Sequence, residues 1–465
     1  MFLLSPKSIK FILLPLACLI FAISKISDLQ LPYFWDEIAA YMNGVIYMLD
    51  NGISLLPSAV PPEMSFGHPL FLHAFLASVA KVFGYSIPLM RGTVLFCSLL
   101  LAIGVFVLAR KNSNNYLSAL IAVVILLAQP IVFAQSTMIL LELLLTLLVV
   151  YAILFYTNNQ HILAALMASL AVLTKETGVV LAIALMVQVI VDFYIAKDRR
   201  KLKNLLLIYS FPFLVFLVFL IIQKNTYGWY LNPANLGATK LTLKSMLQKT
   251  WDYPIEIVFI DQGRYVYSII LLLFLILKSK FIKFRYNRLS SIMIVFILGF
   301  MAFSSIAHTL ERYFIVLMPF AAILFAQAIT YFEKWHISLV ILILGVSLTS
   351  NWLHRNNGKK FSDVDISYRQ HIKVNQDLMN YINSGVFKND TLGFSFPLKE
   401  AAIDSRFGYL QEKNFHSDLF FTNGLKYYVY TSPGNFENNP PDTAILKEFK
   451  SFKSELAKGM IYVRK

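Results

Sequence analysis

Charge is what this sequence lacks. Of 465 residues, 14% are Asp, Glu, Lys or Arg and 57% are hydrophobic, whereas a soluble globular chain carries about 25% charged residues. A string of soluble domains is excluded despite a length that allows one, and so are fibrous and disordered classes. The deficit is uneven: residues 353–465 hold 28 of the 67 charged residues, and residues 1–352 hold the other 39. The chain therefore reads as an all-α polytopic membrane body, residues 1–352, followed by a small α/β soluble domain, residues 353–465. Cysteine is nearly absent too. Cys18 and Cys97 both lie in apolar runs and read as packed thiols, so neither a disulfide framework nor a cysteine metal site is expected. No small-x-small cleavage signal follows the first apolar run, where Ser24-Lys25-Ile26-Ser27-Asp28 stands. Residues 11–27 are thus expected to be an uncleaved first span with a cytoplasmic N-terminus. An internal repeat is also missing, which argues against an inverted-repeat transporter.

The formal net charge is +15, but its placement argues against nucleic acid. Basic residues cluster between apolar runs, as they do in cytoplasmic loops. The tail is balanced, with 16 basic and 12 acidic residues, unlike a nucleic-acid face. A span needs about 17–25 mostly apolar residues. The candidates are 11–27, 91–109, 116–134, 139–157, 161–175, 178–196, 204–222, 265–279, 290–307, 313–331 and 337–352. Residues 68–84 are ambiguous. If they do not span, fifteen basic residues fall inside, from Lys7/Lys10, Arg110/Lys111, 197–203, 278–288 and Lys334. If they span, every cluster after the first flips outside and the positive-inside rule fails. Residues 68–84, with Lys81 and the paired His68 and His73, are therefore expected to lie on the outer interface. The expected topology is about eleven transmembrane helices plus interfacial helices, with the C-terminal domain outside. Two long outer loops, 28–90 and 223–264, would cover an active site. In the second loop, Leu241, Leu243, Met246, Leu247 and Trp251 have roughly helical spacing and predict another interfacial helix.

Ionisable groups at membrane depth are costly and point to function. Asp36 and Glu37 follow the first span, in Trp35-Asp36-Glu37; adjacent carboxylates there suit proton abstraction or cation binding, or else an interfacial helix cap. Glu142 is the only charge between Lys111 and Lys175, and must be paired, protonated or facing a wet cavity. Lys175-Glu176 reads as a lipid-phosphate ligand or as a self-paired helix hairpin. His308, Glu311, Arg312 and Tyr313 lie between two later spans. Arginine suits phosphate through its bidentate fork, against the alternative of a snorkelling side chain. His68, before Pro69, reads as a ligand or as a satisfied interfacial histidine. In this topology every intramembrane or juxtamembrane acid falls on the outer face, together with Lys175, Arg312, His68 and His308. That sidedness suggests chemistry on a lipid phosphate.

The same residues resemble the type C glycosyltransferases, in particular dolichyl-phosphate-mannose protein mannosyltransferases and bacterial lipid A aminoarabinose transferases. The resemblance rests on Trp35-Asp36-Glu37, Gly67-His68-Pro69-Leu70, Glu142, Leu173-Thr174-Lys175-Glu176, Tyr227-Gly228-Trp229-Tyr230, and Glu311-Arg312-Tyr313 with Pro319. It covers most of residues 11–330. The relatives often carry Asp at the place of Glu142, and a second proline where Leu70 stands. The resemblance implies transfer, with inversion, of a sugar from a polyprenyl-phosphate donor to an acceptor hydroxyl. Asp36 would be the general base, with Glu37 and Glu142 orienting it or the acceptor. Arg312, Lys175, His68 and His308 would hold the donor phosphate. Trp35, Tyr41, Glu311, Tyr313 and Trp229 would bind substrate. If a divalent cation such as Mg or Mn takes part, Asp36, Glu37 and Glu142 are its candidate ligands. The acceptor would be a lipid, polysaccharide or protein, and the setting a bacterial inner membrane with a periplasmic C-terminal domain. The competing reading is a flippase of lipid-linked saccharides.

In the tail, Val374–Ile382 and Ala444–Ala457 are expected as helices. Thr391–Phe396, Lys426–Thr431 and Met460–Arg464 are expected as strands, and residues 434–441 as a loop.

Overall fold

In the computed structural model, every apolar segment singled out above is helical. The structure describes residues 6–197, 199–233, 242–279, 287–306, 310–353, 363–387, 390–395, 398–410, 416–419, 425–432, 445–454 and 457–465. The chain is a multi-pass membrane protein. Helices Ile87–Ser113, Glu176–Ile195, Leu202–Tyr227, Arg288–Ile306 and Glu311–Tyr331 are each long and apolar enough to cross a bilayer. A sixth candidate is a pair, Lys244–Ile260 and Arg264–Lys278, bent by 85°. The bend sits at Gln262 and Gly263, both at positive φ. Among the described residues, six further apolar helices are only 10–17 residues long. A count of eleven needs five of those six to cross as well. The sixth, Phe71–Phe83, has 13 residues and so spans about 20 Å at 1.5 Å per residue, short of the roughly 30 Å apolar core.

Local chemistry accounts for the helix ends. Ser86 caps Ile87–Ser113 by accepting from the Leu89 amide at 3.3 Å. Asn115 caps Tyr116–Ala128 by accepting from Leu117 and Ser118. The expected span 116–134 breaks at Gln129, because Pro130 cannot continue the amide ladder and opens a short helix, Pro130–Gln135. Helix Leu141–Thr157 is buried along almost its whole length, against Ile87–Ser113 and His161–Thr174. It forms the axis of the bundle.

The loop of residues 28–90 is folded. A π-helical turn, Glu37–Tyr41, runs into helix Met42–Asn51, and Phe71–Phe83 packs against the latter. His73 is buried rather than at an interface. Burial holds its imidazole down to about 4, so it is neutral and donates to the Met64 carbonyl at 3.2 Å. In the second loop, helix Leu243–Thr250 forms as expected and continues as a π-helix to Ile260.

The C-terminal domain is a five-stranded sheet of β1 (Thr391–Phe394), β2 (His416–Leu419), β3 (Tyr427–Ser432), β4 (Leu446–Lys453) and β5 (Lys458–Arg464), in the order β2-β1-β3-β5-β4. β1 is parallel to β2 and β3, while β5 is antiparallel to β3 and β4. Helix Tyr368–Tyr381 covers it, with Val374 and Leu378 against Gly459. Strand β2 is not anticipated by the sequence reading. The helix expected over 444–457 is instead the edge strand β4. Its Lys and Glu residues favour a helix, but pairing with β5 prevails, and Phe449 packs on Phe387 and Tyr427. Charged side chains on an exposed edge also discourage further strand pairing. Residues 434–441 lie outside the described residues.

This domain docks on the loop after the first helix. The Tyr33 amide donates to the Phe407 carbonyl at 3.2 Å, the Tyr409 hydroxyl to the Tyr33 carbonyl at 2.8 Å, and the Tyr85 hydroxyl to the Arg406 carbonyl at 2.7 Å. Arg406 forks onto both oxygens of Asp50. Gly408, at φ +90, lies so close that a Cβ would meet Ile87 Cδ1 at 2.6 Å and Pro32 at 3.2 Å. Gly408→Ala is therefore expected to cost about 1–3 kcal/mol and to lower the Tm of the purified protein in detergent by several degrees. An unchanged Tm would show that docking does not depend on this close approach.

Candidate active site at one end of the bundle

Three helix ends and two connecting segments bring the polar residues together. Glu142 sits in the first turn of Leu141–Thr157, Lys175 just past His161–Thr174, and Glu176 at the start of the next helix. Arg312 lies in the 3-10 segment Glu311–Leu317 leading into Met318–Tyr331. Asp36 opens the π-helical turn after the first span.

Arg312 is the hub. Its Nη2 donates to Asp36 Oδ2 at 2.5 Å and its Nη1 to Asp363 Oδ2 at 2.6 Å. Its Nε lies 3.6 Å from Glu142 Oε1. Lys175 Nζ donates to that same oxygen at 2.7 Å and sits 3.1 Å above the Tyr313 ring, a cation–π contact. Both cations thus reach one carboxylate oxygen in a buried cluster. Glu142 Oε2 has no hydrogen-bond partner among the described residues. Tyr41 is buried beside the charges of Arg312, Glu142 and Asp36. Burial pushes its hydroxyl well above the usual tyrosine range, so it stays a proton donor.

Asp36 and Glu37 separate. Trp35 adopts φ +50, a left-handed turn uncommon for a bulky residue, and its ring lies near those of Phe34 and His371. Beyond it Asp36 faces Arg312, whereas Glu37 turns to Arg91 at 3.0 Å and accepts the Phe34 and Ile139 amides at 2.8 Å each. Arg91 is itself buried and donates to the carbonyls of Leu31, Pro32 and Thr137. This second cluster pins the strained turn to Ile87–Ser113 and to the segment before Leu141, and so places Asp36.

Lys175 and Glu176 do not pair with each other. Lys175 takes Glu142, and Glu176 takes His68 Nδ1 at 2.8 Å. Gly67, at φ +75, lets Trp229 approach, since a Cβ there would lie 2.8 Å from the ring. Trp229 stacks on Tyr227, and Gln223 and Asn232 bind the carbonyls of Gly67 and Phe66. Trp229 thus borders the His68 turn. Glu311 lies close enough to buried Arg264 for its charge to act there. His308 lies outside the described residues.

Sequence reasoning missed two contributors, Asp363 and Arg91. Asp363 comes from the tail, which carried no recognised motif; its signal was the acidic pair Asp363 and Asp365 just after the last apolar run. Arg91, at the head of a long span, carries no signal in the sequence that separates it from a helix-end charge. Asp192 breaks the one-sided pattern: it lies about 24 Å along its helix from Glu176, bound to Tyr156 at 2.7 Å and Arg288 at 2.6 Å.

A shared divalent cation does not fit this arrangement. Glu37 is committed to Arg91, and Asp36 and Glu142 converge on Arg312 and Lys175 rather than on each other. Among the described residues no group of three His, Cys, Asp or Glu side chains could hold a metal.

Residues 67–229 match the family described as dolichyl-phosphate-mannose-protein mannosyltransferase. Among solved structures, the chain is similar to ArnT from Cupriavidus metallidurans bound to undecaprenyl phosphate. That match has a TM-score of 0.59 and 14% identity, and covers 96% of this chain and 97% of that one. The chain has the fold of the type C glycosyltransferases. It is also similar to the Archaeoglobus fulgidus oligosaccharyltransferase in complex with Zn and sulfate, with a TM-score of 0.54 and 13% identity over 90% of this chain and 67% of that chain. No curated protein sequence matches it.

The two clusters make separable demands. Glu37→Ala strands buried Arg91 and is expected to cost about 3–5 kcal/mol, read as a fall in Tm in detergent. Asp36→Asn keeps a hydrogen-bonding group toward Arg312 and should leave Tm within a few degrees. A Glu37→Ala protein as stable as wild type would remove the anchoring role.

Proposed function

We propose that this chain is an integral-membrane glycosyltransferase. It moves a sugar from a polyprenyl-phosphate donor to an acceptor hydroxyl at the end of the bundle that carries the C-terminal domain. The observation that carries this reading is the convergence of Arg312 and Lys175 on one oxygen of Glu142, beside Asp36. Two buried cations next to a carboxylate are what the reaction needs, and the ArnT relative is bound to undecaprenyl phosphate. The positive-inside rule favours the outer, periplasmic or luminal, face for this end, with eleven crossings and a bacterial inner membrane as the setting.

The acceptor oxygen attacks the anomeric carbon as the bond from that carbon to the phosphate oxygen breaks, which inverts the centre. The hydroxyl proton passes to Asp36. The polyprenyl monophosphate leaves with the electron pair, and its new negative charge is met by Arg312 and Lys175. Arg312 offers a fork and Lys175 a point charge fixed over Tyr313. Tyr41, kept protonated by burial, adds a donor, and Glu37 holds the turn that aims Asp36. His68 and Trp229 flank the Gly67 turn and are assigned to the bound substrate.

The test uses purified protein in nanodiscs with a panel of polyprenyl-phosphate monosaccharides and an envelope extract as acceptor. Wild type is expected to release polyprenyl phosphate. Asp36→Asn should lose at least ~100-fold in turnover while still binding donor. Near-normal turnover by that variant would overturn Asp36 as the base. Arg312→Ala is expected chiefly to raise the KM for donor, and an unchanged donor dependence would remove it from the phosphate site.

A further inference from the structure

Asp363 is the one acid in the cluster contributed by the C-terminal domain. It is also the most exposed of the three carboxylates around Arg312: its side chain is 21% exposed, against 12% for Asp36 and 2% for Glu142. Among the described residues, the three carboxylates Asp36, Glu142 and Asp363 face the two cations Arg312 and Lys175, leaving one negative charge in excess. A donor phosphate adds another. At close range in a buried site that addition is strongly unfavourable unless a carboxylate withdraws.

We propose that Asp363 is a placeholder for the donor phosphate: its carboxylate holds the Arg312 Nη1 that the phosphate needs, and binding exchanges one for the other. This rests on the reading of Arg312 as a donor-phosphate ligand. The other two acids are poor candidates for leaving. Glu142 is held by Lys175, and Asp36 is needed in place as the base. Asp363 can withdraw without moving its domain. The Val364 carbonyl is anchored by Gln262 at 3.1 Å, and Asp365 accepts the Ser367 amide at 2.8 Å, so rotation of one side chain is enough. The cluster also holds this carboxylate at a cost. Burial pushes the Asp363 carboxyl up, and Asp36 and Glu142 add to that push against the pull of Arg312. The placeholder keeps the guanidinium satisfied and aimed before the phosphate arrives, and links donor binding to the domain that covers the site.

The test measures the Kd of undecaprenyl phosphate for wild type, Arg312→Ala and Asp363→Asn in detergent. With the competitor neutralised, Asp363→Asn is expected to bind at least about threefold more tightly, because the fraction of protein with Arg312 available rises. Unchanged or weaker binding by Asp363→Asn, with wild-type binding still dependent on Arg312, overturns the placeholder and leaves the functional reading standing. Wild-type binding that Arg312→Ala does not weaken overturns both. A second measurement needs no variant. Carbodiimide labelling of carboxylates in wild type, read by mass spectrometry, should increase at Asp363 when undecaprenyl phosphate saturates the protein. Labelling that stays level or falls at saturation contradicts the exchange.

Discussion

A single guanidinium ties together four distant parts of this chain. Arg312 binds Asp36 after the first helix and Asp363 after the last, and lies beside Glu142 at the bundle axis. A guanidinium so deeply buried is stable only with carboxylates around it. The helices around the cluster must therefore bring their ends to one level, and the C-terminal domain must dock where Asp363 can reach Arg312. The hydrogen bonds of Tyr33 with Phe407 and Tyr409, and of Tyr85 with Arg406, fix that docking. Buried Tyr368 and half-buried Arg369, both bound to Asp28, add a second clamp at the base of the first helix.

The second buried arginine serves a different purpose. Arg91 spends its donors on three carbonyls and Glu37, and so satisfies backbone groups that a loop folded against apolar helices would otherwise strand. The left-handed turn at Trp35 persists because these contacts over-determine it. Two neighbouring carboxylates consequently have unlike environments: Glu37 is locked into scaffold, while Asp36 keeps its carboxylate in the Arg312 cluster. Strain is concentrated beside the carboxylate proposed as the base.

Much of this was legible in the sequence. The eleven helical segments follow from apolar run length, and the clustering of Asp36, Glu142, Lys175 and Arg312 from the one-sided charge pattern. What the pattern does not encode is pairing. Lys175-Glu176 reads as a local ion pair, and only the crossing of helices sends each residue to a different partner, Glu142 or His68. Asp36 and Glu37 look equivalent until the turn at Trp35 splits them. Asp363 was invisible because its meaning depends on where a soluble domain docks. The edge strand β4 was misread because Lys and Glu favour a helix when isolated, whereas hydrogen bonding to β5 is a tertiary effect.

The two cations differ in a way that bears on the proposed chemistry. Lys175 has one carboxylate oxygen from the helix at the bundle axis and the face of Tyr313, the neighbour of Arg312. Its charge is fixed by the bundle itself. Arg312 has a planar fork whose two ends are held by carboxylates from loop and domain, the parts of the molecule least constrained by the bilayer. A phosphate entering the cluster can gain Lys175 only by approaching a charge already neutralised by Glu142. It gains Arg312 by exchange with an equivalent anion. Exchange of one oxyanion for another on the same fork leaves the guanidinium satisfied throughout, so entry of the phosphate need not pass through an uncompensated buried charge.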